Sequence, residues 1–538
     1  MSKVISKSIS KQKIALYLIV IVLGSLFLKL YLVDFSLPET GDSWIYILRA
    51  IANSQGNYVE TPTKTQGWNL FLSPFFMLID SDNYVDYVQI SRLLSISLSS
   101  ITILPMYFFA RKFFPEKYSL IAASLFAFQP QLNYNSTLGF SEPLFILIFV
   151  TALNFLFNKS LDKRLFLSFL LLGFLFWARF QGILFVLVFI IIYFLYYKKS
   201  KKLFSHFVIC FLIFLLVISP ILFLRQLQYE NPLYFETLDV KAISNPSDFD
   251  LSEILSIGFS KMMHVWGVTS LPFLIFLFPI GLGISLRKSN YEKNNMLYIW
   301  IMLFATLLPY IPIYHSMSAG RMLFHLYPLM IIFATLAIQK INEKASNLIF
   351  NKKSYIPLIC IMTLIIISSI LVTHGVADYG YGRPDPVKIN EIKEYNKFLL
   401  NNLDGNLLWS KGVDSDWVIV TLLEESNGKF KNYKITTDIS FQYFDDITYL
   451  NPTDLYVLRS DELTGNSIEE YILNGESIEL RYISISETND QKFFDDVYHQ
   501  EQNYEYLEKI FDSKNNGFQK YKVKTFEINY EKFHLLYD

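Results

Sequence analysis

The sequence predicts a polytopic α-helical membrane protein of about eleven transmembrane helices, with a soluble α/β domain behind them. Two observations carry this. The apolar residues fall in runs close to the ~20 residues that cross a bilayer, and charged residues make up only 18% of the chain while Phe, Tyr and Trp make up 17%. The net charge of −1 also hides two opposite halves. Residues 375–538 hold 30 Asp/Glu against 17 Lys/Arg, whereas residues 1–374 hold 18 against 30. A basic membrane half followed by an acidic solvated domain is the simplest reading of that asymmetry.

The predicted spans are Ile14–Val33, Val88–Ala110, Tyr118–Leu132, Pro143–Phe157, Leu165–Ala178, Gly182–Tyr197, Leu203–Leu224, Val265–Leu286, Met296–Ile313, Met322–Ile338 and Tyr355–Thr373. The apolar run to Val33 is long for a signal-peptide core and no small-residue cleavage site closes it, so it is expected to stay as the first helix. With a cytosolic N-terminus, the inner connections carry 21 Lys/Arg and the longer outer ones before Gly375 only seven. Those seven are Arg49, Lys64, Arg179, Arg225, Lys241, Lys261 and Arg321. Each alternate connection obeys the positive-inside bias. An odd number of spans then puts the acidic domain outside. The expected division is a membrane domain at 1–374, with a long first outer loop at 34–86, and an extracytoplasmic α/β domain at 375–538. A multi-pass protein of the plasma membrane is expected.

The first outer loop is expected to hold helices at Asp42–Asn53 and Trp68–Leu78, and the turn Gln131–Gly139 to be a short polar loop. The C-terminal region is expected to form helices at Pro386–Asn401 and Ser467–Leu473, and strands at Leu407–Trp409, Leu455–Leu458 and Ser477–Ser484. Cys210 and Cys360 both sit in apolar runs, so no disulfide framework or thiolate metal site can form. No phosphate-binding glycine loop, HExxH motif or Ser/His/Asp set is present. Nothing points to nucleic acid.

Ionisable groups at helix mouths in a membrane protein are functional candidates, and here they gather on the outer side. Asp42, in Glu39-Thr-Gly-Asp-Ser-Trp-Ile-Tyr46, can serve as a general base or as a helix N-cap. Lys64, in Pro62-Thr-Lys-Thr-Gln-Gly-Trp68, can meet a lipid phosphate or simply be solvated. Glu142 opens the fourth span in Gly139-Phe-Ser-Glu-Pro143. It is either a second acid facing a cavity or helix-start chemistry beside an N-cap at Ser141. Arg179, in Trp177-Ala-Arg-Phe-Gln-Gly182, and Arg321 and His325, in Ser318-Ala-Gly-Arg-Met-Leu-Phe-His-Leu-Tyr-Pro328, lie at outer helix ends. Guanidinium groups there suit phosphate by bidentate geometry or anchor at headgroup level. Asn135-Ser-Thr137 also fits a glycosylation acceptor, a pattern short enough to arise by chance.

Taken in order, these residues resemble the GT-C membrane glycosyltransferases that use polyprenyl-phosphate sugars. The similar groups are the protein O-mannosyltransferases of glycosyltransferase family 39, the aminoarabinose transferases and the RgtA/B/C/D-like transferases. The resemblance rests on Asp42 with Tyr46 and Arg49, on Lys64-Thr-Gln-Gly-Trp68, on Arg92-Leu93, on Glu142, on Arg179-Phe-Gln-Gly182 and on Arg321 to Pro328. It covers roughly residues 14–330. Many relatives carry paired acids where this chain has Asp42-Ser43, and the Trp-Trp-Asp signature of oligosaccharyltransferases is missing.

The resemblance implies an inverting transfer of a hexose or pentose from a polyprenyl (dolichyl-type) phosphate to an acceptor hydroxyl at the outer face. The acceptor is a protein, a lipid or a polysaccharide. Asp42 and Glu142 would be catalytic. Lys64, Arg179, Arg321 and, more weakly, Arg49 would bind the donor phosphate. Tyr46, Trp68, His325 and Tyr327 would touch substrate. No cofactor is required, and a divalent metal stays open without a ligand set to assign. A transporter or lipid flippase of the cell-envelope pathway is the alternative.

Overall fold

The structure is a computed structural model that describes residues 10–35, 43–58, 65–158, 161–197, 202–232, 251–286, 290–316, 320–348, 355–379, 385–410, 413, 416–426, 428–432, 455–459, 467–476, 479–487 and 492–537. The chain forms two compact units. One comprises residues 1–33, 62–68 and 92–380; the other comprises 34–61, 69–91 and 381–538.

The first unit is helical. Helices α1 (Lys11–Leu32), α2 (Ser43–Ser54), α3 (Gly67–Ile79), α4 (Tyr84–Ile101), α5 (Ile103–Ala110), α6 (Glu116–Ala127), α7 (Pro130–Ser136), α8 (Glu142–Leu156), α9 (Arg164–Ala178), α10 (Gly182–Tyr196) and α11 (Leu203–Tyr229) lead the chain. Of these, α2, most of α3 and the start of α4 fall in the second unit. Further helices run over Leu251–Thr269, Leu274–Ser285, Asn290–Leu307, Tyr310–Ser316, Tyr327–Leu348 and Tyr355–Tyr379. Among the described residues, four helices are long and apolar enough to cross a membrane: Lys11–Leu32, Tyr84–Ala110, Leu203–Leu227 and Gly320–Ser346. A bent pair makes a fifth if counted as one span, and shorter apolar helices accompany them.

The predicted span Val265–Leu286 is not one helix. It is that bent pair, which turns by 112° between Thr269 and Leu274. Pro272 lies in the break and offers no amide to continue the ladder. The carbonyl of Thr269 is freed there, and two buried side chains satisfy it: Gln129 Nε2 at 3.0 Å and Tyr327 Oη at 2.8 Å. Broken helices survive at membrane depth only when neighbours take up the freed backbone groups in this way. The predicted span Met296–Ile313 is likewise interrupted, ahead of Tyr310 at Pro309. The segment expected as a polar loop, Gln131–Gly139, forms most of α7 and a turn ending at Gly139, whose φ is +73°. Helix Leu274–Ser285 crosses Tyr327–Leu348 closely enough that a Cβ on Gly281 would fall 1.8 Å from the Phe333 carbonyl oxygen. Glycine is required there for two backbones to meet.

The second unit holds a five-stranded sheet: β1 (Gly405–Trp409), β2 (Leu455–Arg459), β3 (Leu480–Ser486), β4 (Leu507–Asp512) and β5 (Val523–Ile528). The order is β2-β1-β3-β5-β4, with β1 parallel to β2 and β3, and β5 antiparallel to β3 and β4. The alternating run Leu480, Tyr482 and Ser484 pairs into the centre, where Tyr395 Oη bonds Ser484 at 2.6 Å and lies 3.1 Å from Thr525. Helix Pro386–Asn402 covers this face. In the same unit Lys431 bonds Asp82 at 2.7 Å and Asp80 at 3.0 Å, and these bonds hold its ammonium above the usual lysine range.

Glu391 fixes the loop before β5. Its carboxylate accepts from the backbone N–H of Gln519, Lys520 and Tyr521 at 2.6, 2.8 and 2.7 Å. Burial by itself would raise its pKa, but these three bonds and the charge of Lys522 outweigh it and hold the group below its ordinary value. The contribution to stability is therefore present above the unfolded pKa and lost as pH falls through the folded one. Replacing Glu391 with Ala is expected to cost about 2–3 kcal/mol, since bonds to a charged acceptor are worth about 1.5–3 each before losses elsewhere. Amide exchange at Gln519–Tyr521 in the full chain checks this. Protection should fall in the variant at neutral pH, and the wild type should approach the variant as acid is added.

Candidate functional site

Four of the predicted site residues, Glu142, Arg179, Arg321 and His325, meet in one small recess of the helical unit. Its lining is Glu142, Phe145, Ile146, Arg179, Gln181, Tyr310, Arg321, Met322 and His325. Local sequence places each. Glu142 is the first residue of α8, so its carboxylate meets the positive end of that helix. Ser141 precedes it without capping; its hydroxyl lies 3.4 Å from Arg179 Nη1. Arg179 ends α9 in an extended conformation, and the tight Arg179–Gln181 turn leads directly into α10. Its Nε donates to Gln181 Oε1 at 3.1 Å, and its Nη1 donates to Glu142 Oε1 in a very short contact. Arg321 enters along a short 3-10 helix, Gly320–Leu326, with its Nε 3.9 Å from the same Glu142 oxygen. Its guanidinium also lies over the Phe140 ring, 4.9 Å from the centroid.

The side chains are 14% exposed at Arg179, 19% at Arg321 and 4% at Glu142. Two cations thus approach one buried carboxylate in a site largely shut off from water. His325 is buried, its ring 5.2 Å from that of Tyr310 and edge-on to Phe185 at 5.3 Å. Among the described residues, three buried polar atoms of residues in the lining have no hydrogen-bond partner: Glu142 Oε2, Tyr310 Oη and His325 Nε2. Leaving such groups unpaired is costly, so each calls for a polar partner.

A short stretch of the first outer loop joins this site. Thr65 Oγ1 donates to the Ala178 carbonyl at 2.9 Å, and Trp68 Nε1 donates to the Gly139 carbonyl at 3.0 Å. A Cβ on Gly67 would lie 2.4 Å from the Trp177 carbonyl oxygen, so the strand-like approach needs glycine. Trp68 is therefore an anchor for the loop rather than a residue of the recess. Tyr327, expected near substrate, is instead committed to the helix break at Thr269. Tyr46 and Arg49 lie buried on α2 in the second unit. Asp42 and Lys64 lie outside the described residues. No group of His, Cys, Asp and Glu able to hold a metal occurs among the described residues.

Sequence reasoning missed Tyr310 and Gln181. Gln181 had a signal, being two residues from Arg179 in a connection too short to point elsewhere. Tyr310 had none, because it reads as one more aromatic in an apolar run. It also missed Arg225, which is buried against the Phe180 ring at 4.5 Å behind the Arg179 turn.

The fold of the chain is similar to that of solved GT-C glycosyltransferases. Residues 73–223 match the family model of the dolichyl-phosphate-mannose-protein mannosyltransferases. Among solved structures, ArnT from Cupriavidus metallidurans bound to undecaprenyl phosphate is similar at a TM-score of 0.58 and 11% identity, over 95% of this chain and 97% of that one. The apo oligosaccharyltransferase of Archaeoglobus fulgidus gives 0.58 and 13%, over 89% and 70%. The mycobacterial arabinofuranosyltransferase AftD gives 0.55 and 13%, over 97% of this chain and 40% of that one. No curated protein sequence matches the chain.

Proposed function

We propose that this protein is a plasma-membrane glycosyltransferase that moves a sugar from a polyprenyl-phosphate carrier to an acceptor hydroxyl at the outer face. The observation that carries the reading is the recess, where Arg179 and Arg321 both approach the carboxylate of Glu142 with little exposure to water. Two guanidinium groups in a dry pocket at helix ends suit a lipid-linked phosphate. The undecaprenyl phosphate bound to the Cupriavidus protein of the same fold supports it.

In this reaction the acceptor oxygen attacks the anomeric carbon, and the bond from that carbon to the phosphate oxygen breaks. The electron pair leaves with the phosphate, whose charge grows. Arginines already aimed at that charge lower the barrier, most strongly where water is excluded. Arg179 and Arg321 take this role, and Lys64 is a further candidate for it. Arg49 is a weaker candidate. Asp42 takes the proton released by the acceptor, and direct displacement inverts the anomeric centre. Glu142 is assigned a positioning role, because its partners are the two arginines.

A transporter is the second reading, favoured by the helix pair bent at Thr269, since interrupted helices line many transport sites. Proteoliposomes supplied with a labelled polyprenyl-phosphate sugar and a membrane extract separate the two. Transfer predicts label on a new acceptor with release of polyprenyl phosphate; intact labelled donor on the opposite leaflet without release would overturn it.

A further inference from the structure

The unpartnered atoms of the recess say more than that an anion binds. A phosphate diester only accepts hydrogen bonds. It can answer Arg179 and Arg321. It cannot answer Glu142 Oε2, a buried acceptor without a partner. His325 sharpens this. Its ring is bonded to the Met322 backbone. With a ring N–H donated to that carbonyl, Nε2 of the neutral ring is an acceptor, and it too has no partner. Two buried acceptors and one hydroxyl therefore belong to residues that line one small recess. Placing a phosphate oxygen against the Glu142 carboxylate would add repulsion to the missing bonds. A hydroxyl solves both problems: it donates to Glu142 Oε2 or His325 Nε2 and accepts from Tyr310.

We propose that Glu142 Oε2, Tyr310 Oη and His325 Nε2 form a hydroxyl-reading floor beside the arginines, which selects a lipid phosphate carrying a sugar over the bare lipid phosphate. Tyr310 and Glu142 are thus specificity-determining residues for the donor. The inference rests on the proposed donor reaction and adds a practical consequence: the spent carrier, lacking the hydroxyl, leaves the acceptors unsatisfied and is released.

The test measures binding of farnesyl phosphate and farnesyl phosphoryl-mannose to the full chain in nanodiscs, by thermophoresis. Wild type should bind the mannosyl compound at least fivefold more tightly. Tyr310→Phe removes one oxygen and keeps the ring, so it should reduce that preference by about fivefold, the scale of one net hydrogen bond, while farnesyl phosphate binding changes less than twofold. Glu142→Gln should tighten farnesyl phosphate binding, because a negative charge leaves the pocket, and should also erode the preference. Equal losses for both ligands in either variant would mark a structural role and overturn the proposal. A third arm adds methyl mannoside to farnesyl phosphate. If the free glycoside is bound as tightly as the linked sugar and shows the same Tyr310 dependence, the hydroxyl belongs to the acceptor and the proposal fails. If wild type binds neither farnesyl compound, the donor reading itself falls. If it binds both alike with no variant effect, only the hydroxyl floor falls.

Discussion

Arg179→Ala is expected to lower transfer by about 100- to 1,000-fold, the scale seen when one preorganised donor to a developing oxyanion is removed. The loss should appear in use of the lipid donor rather than of the acceptor. Arg179→Lys should recover only part of it, because an ammonium keeps the charge but not the fork that bonds Glu142, Gln181 and phosphate together. Removing one partner of a buried ion pair can destabilise a protein by about 3–5 kcal/mol, so a drop in activity could reflect folding. A thermal melt run beside the activity measurement separates the two: a structural role predicts that stability and transfer fall together, and a role toward the phosphate predicts loss of transfer in a variant that is still folded.

The second large effect concerns Asp42. Asp42→Asn is expected to reduce transfer by about 100- to 10,000-fold, the range for loss of a positioned general base. This substitution separates the two readings of the residue. Asp42 precedes Ser43, the first residue of α2, and Asn caps helices as well as Asp does. A capping role is therefore preserved in the variant, and only proton transfer is lost. Steady-state rates with a saturating donor, alongside a thermal melt, make the comparison. Unchanged turnover in a folded variant would remove Asp42 from the chemistry.

That Glu142, Arg179 and Arg321 lie at helix ends could be read before their arrangement. The alternation of basic and neutral connections put Glu142, Arg179 and Arg321 at the same side of the helices, and the structure brings those three together with His325. Their pairing could not be read. Glu142 looked equally like helix-start chemistry, and only the geometry shows Ser141 turned to Arg179 instead of capping α8. Tyr310 was invisible because apolar patterning does not distinguish a tyrosine that faces lipid from one whose hydroxyl faces a recess. Pro272 was visible in the sequence, but proline is tolerated inside membrane helices, so it did not by itself announce the bend at Thr269. Gln129 and Tyr327, which make that bend affordable by taking the Thr269 carbonyl, are separated from it by 140 and 58 residues. Pairings at that range leave no mark on local periodicity.

The likeness to an oligosaccharyltransferase is one of fold. The chain lacks the Trp-Trp-Asp signature of that group, and Ser43 follows Asp42 in its first-loop motif.

An experimental structure of the full chain with undecaprenyl phosphate in nanodiscs tests the central claim most directly. The account predicts the phosphate within hydrogen-bond distance of both Arg179 and Arg321, with the isoprenoid leaving the recess between helices. A phosphate bound elsewhere, with the Arg179–Glu142–Arg321 cluster closed on itself, would contradict it.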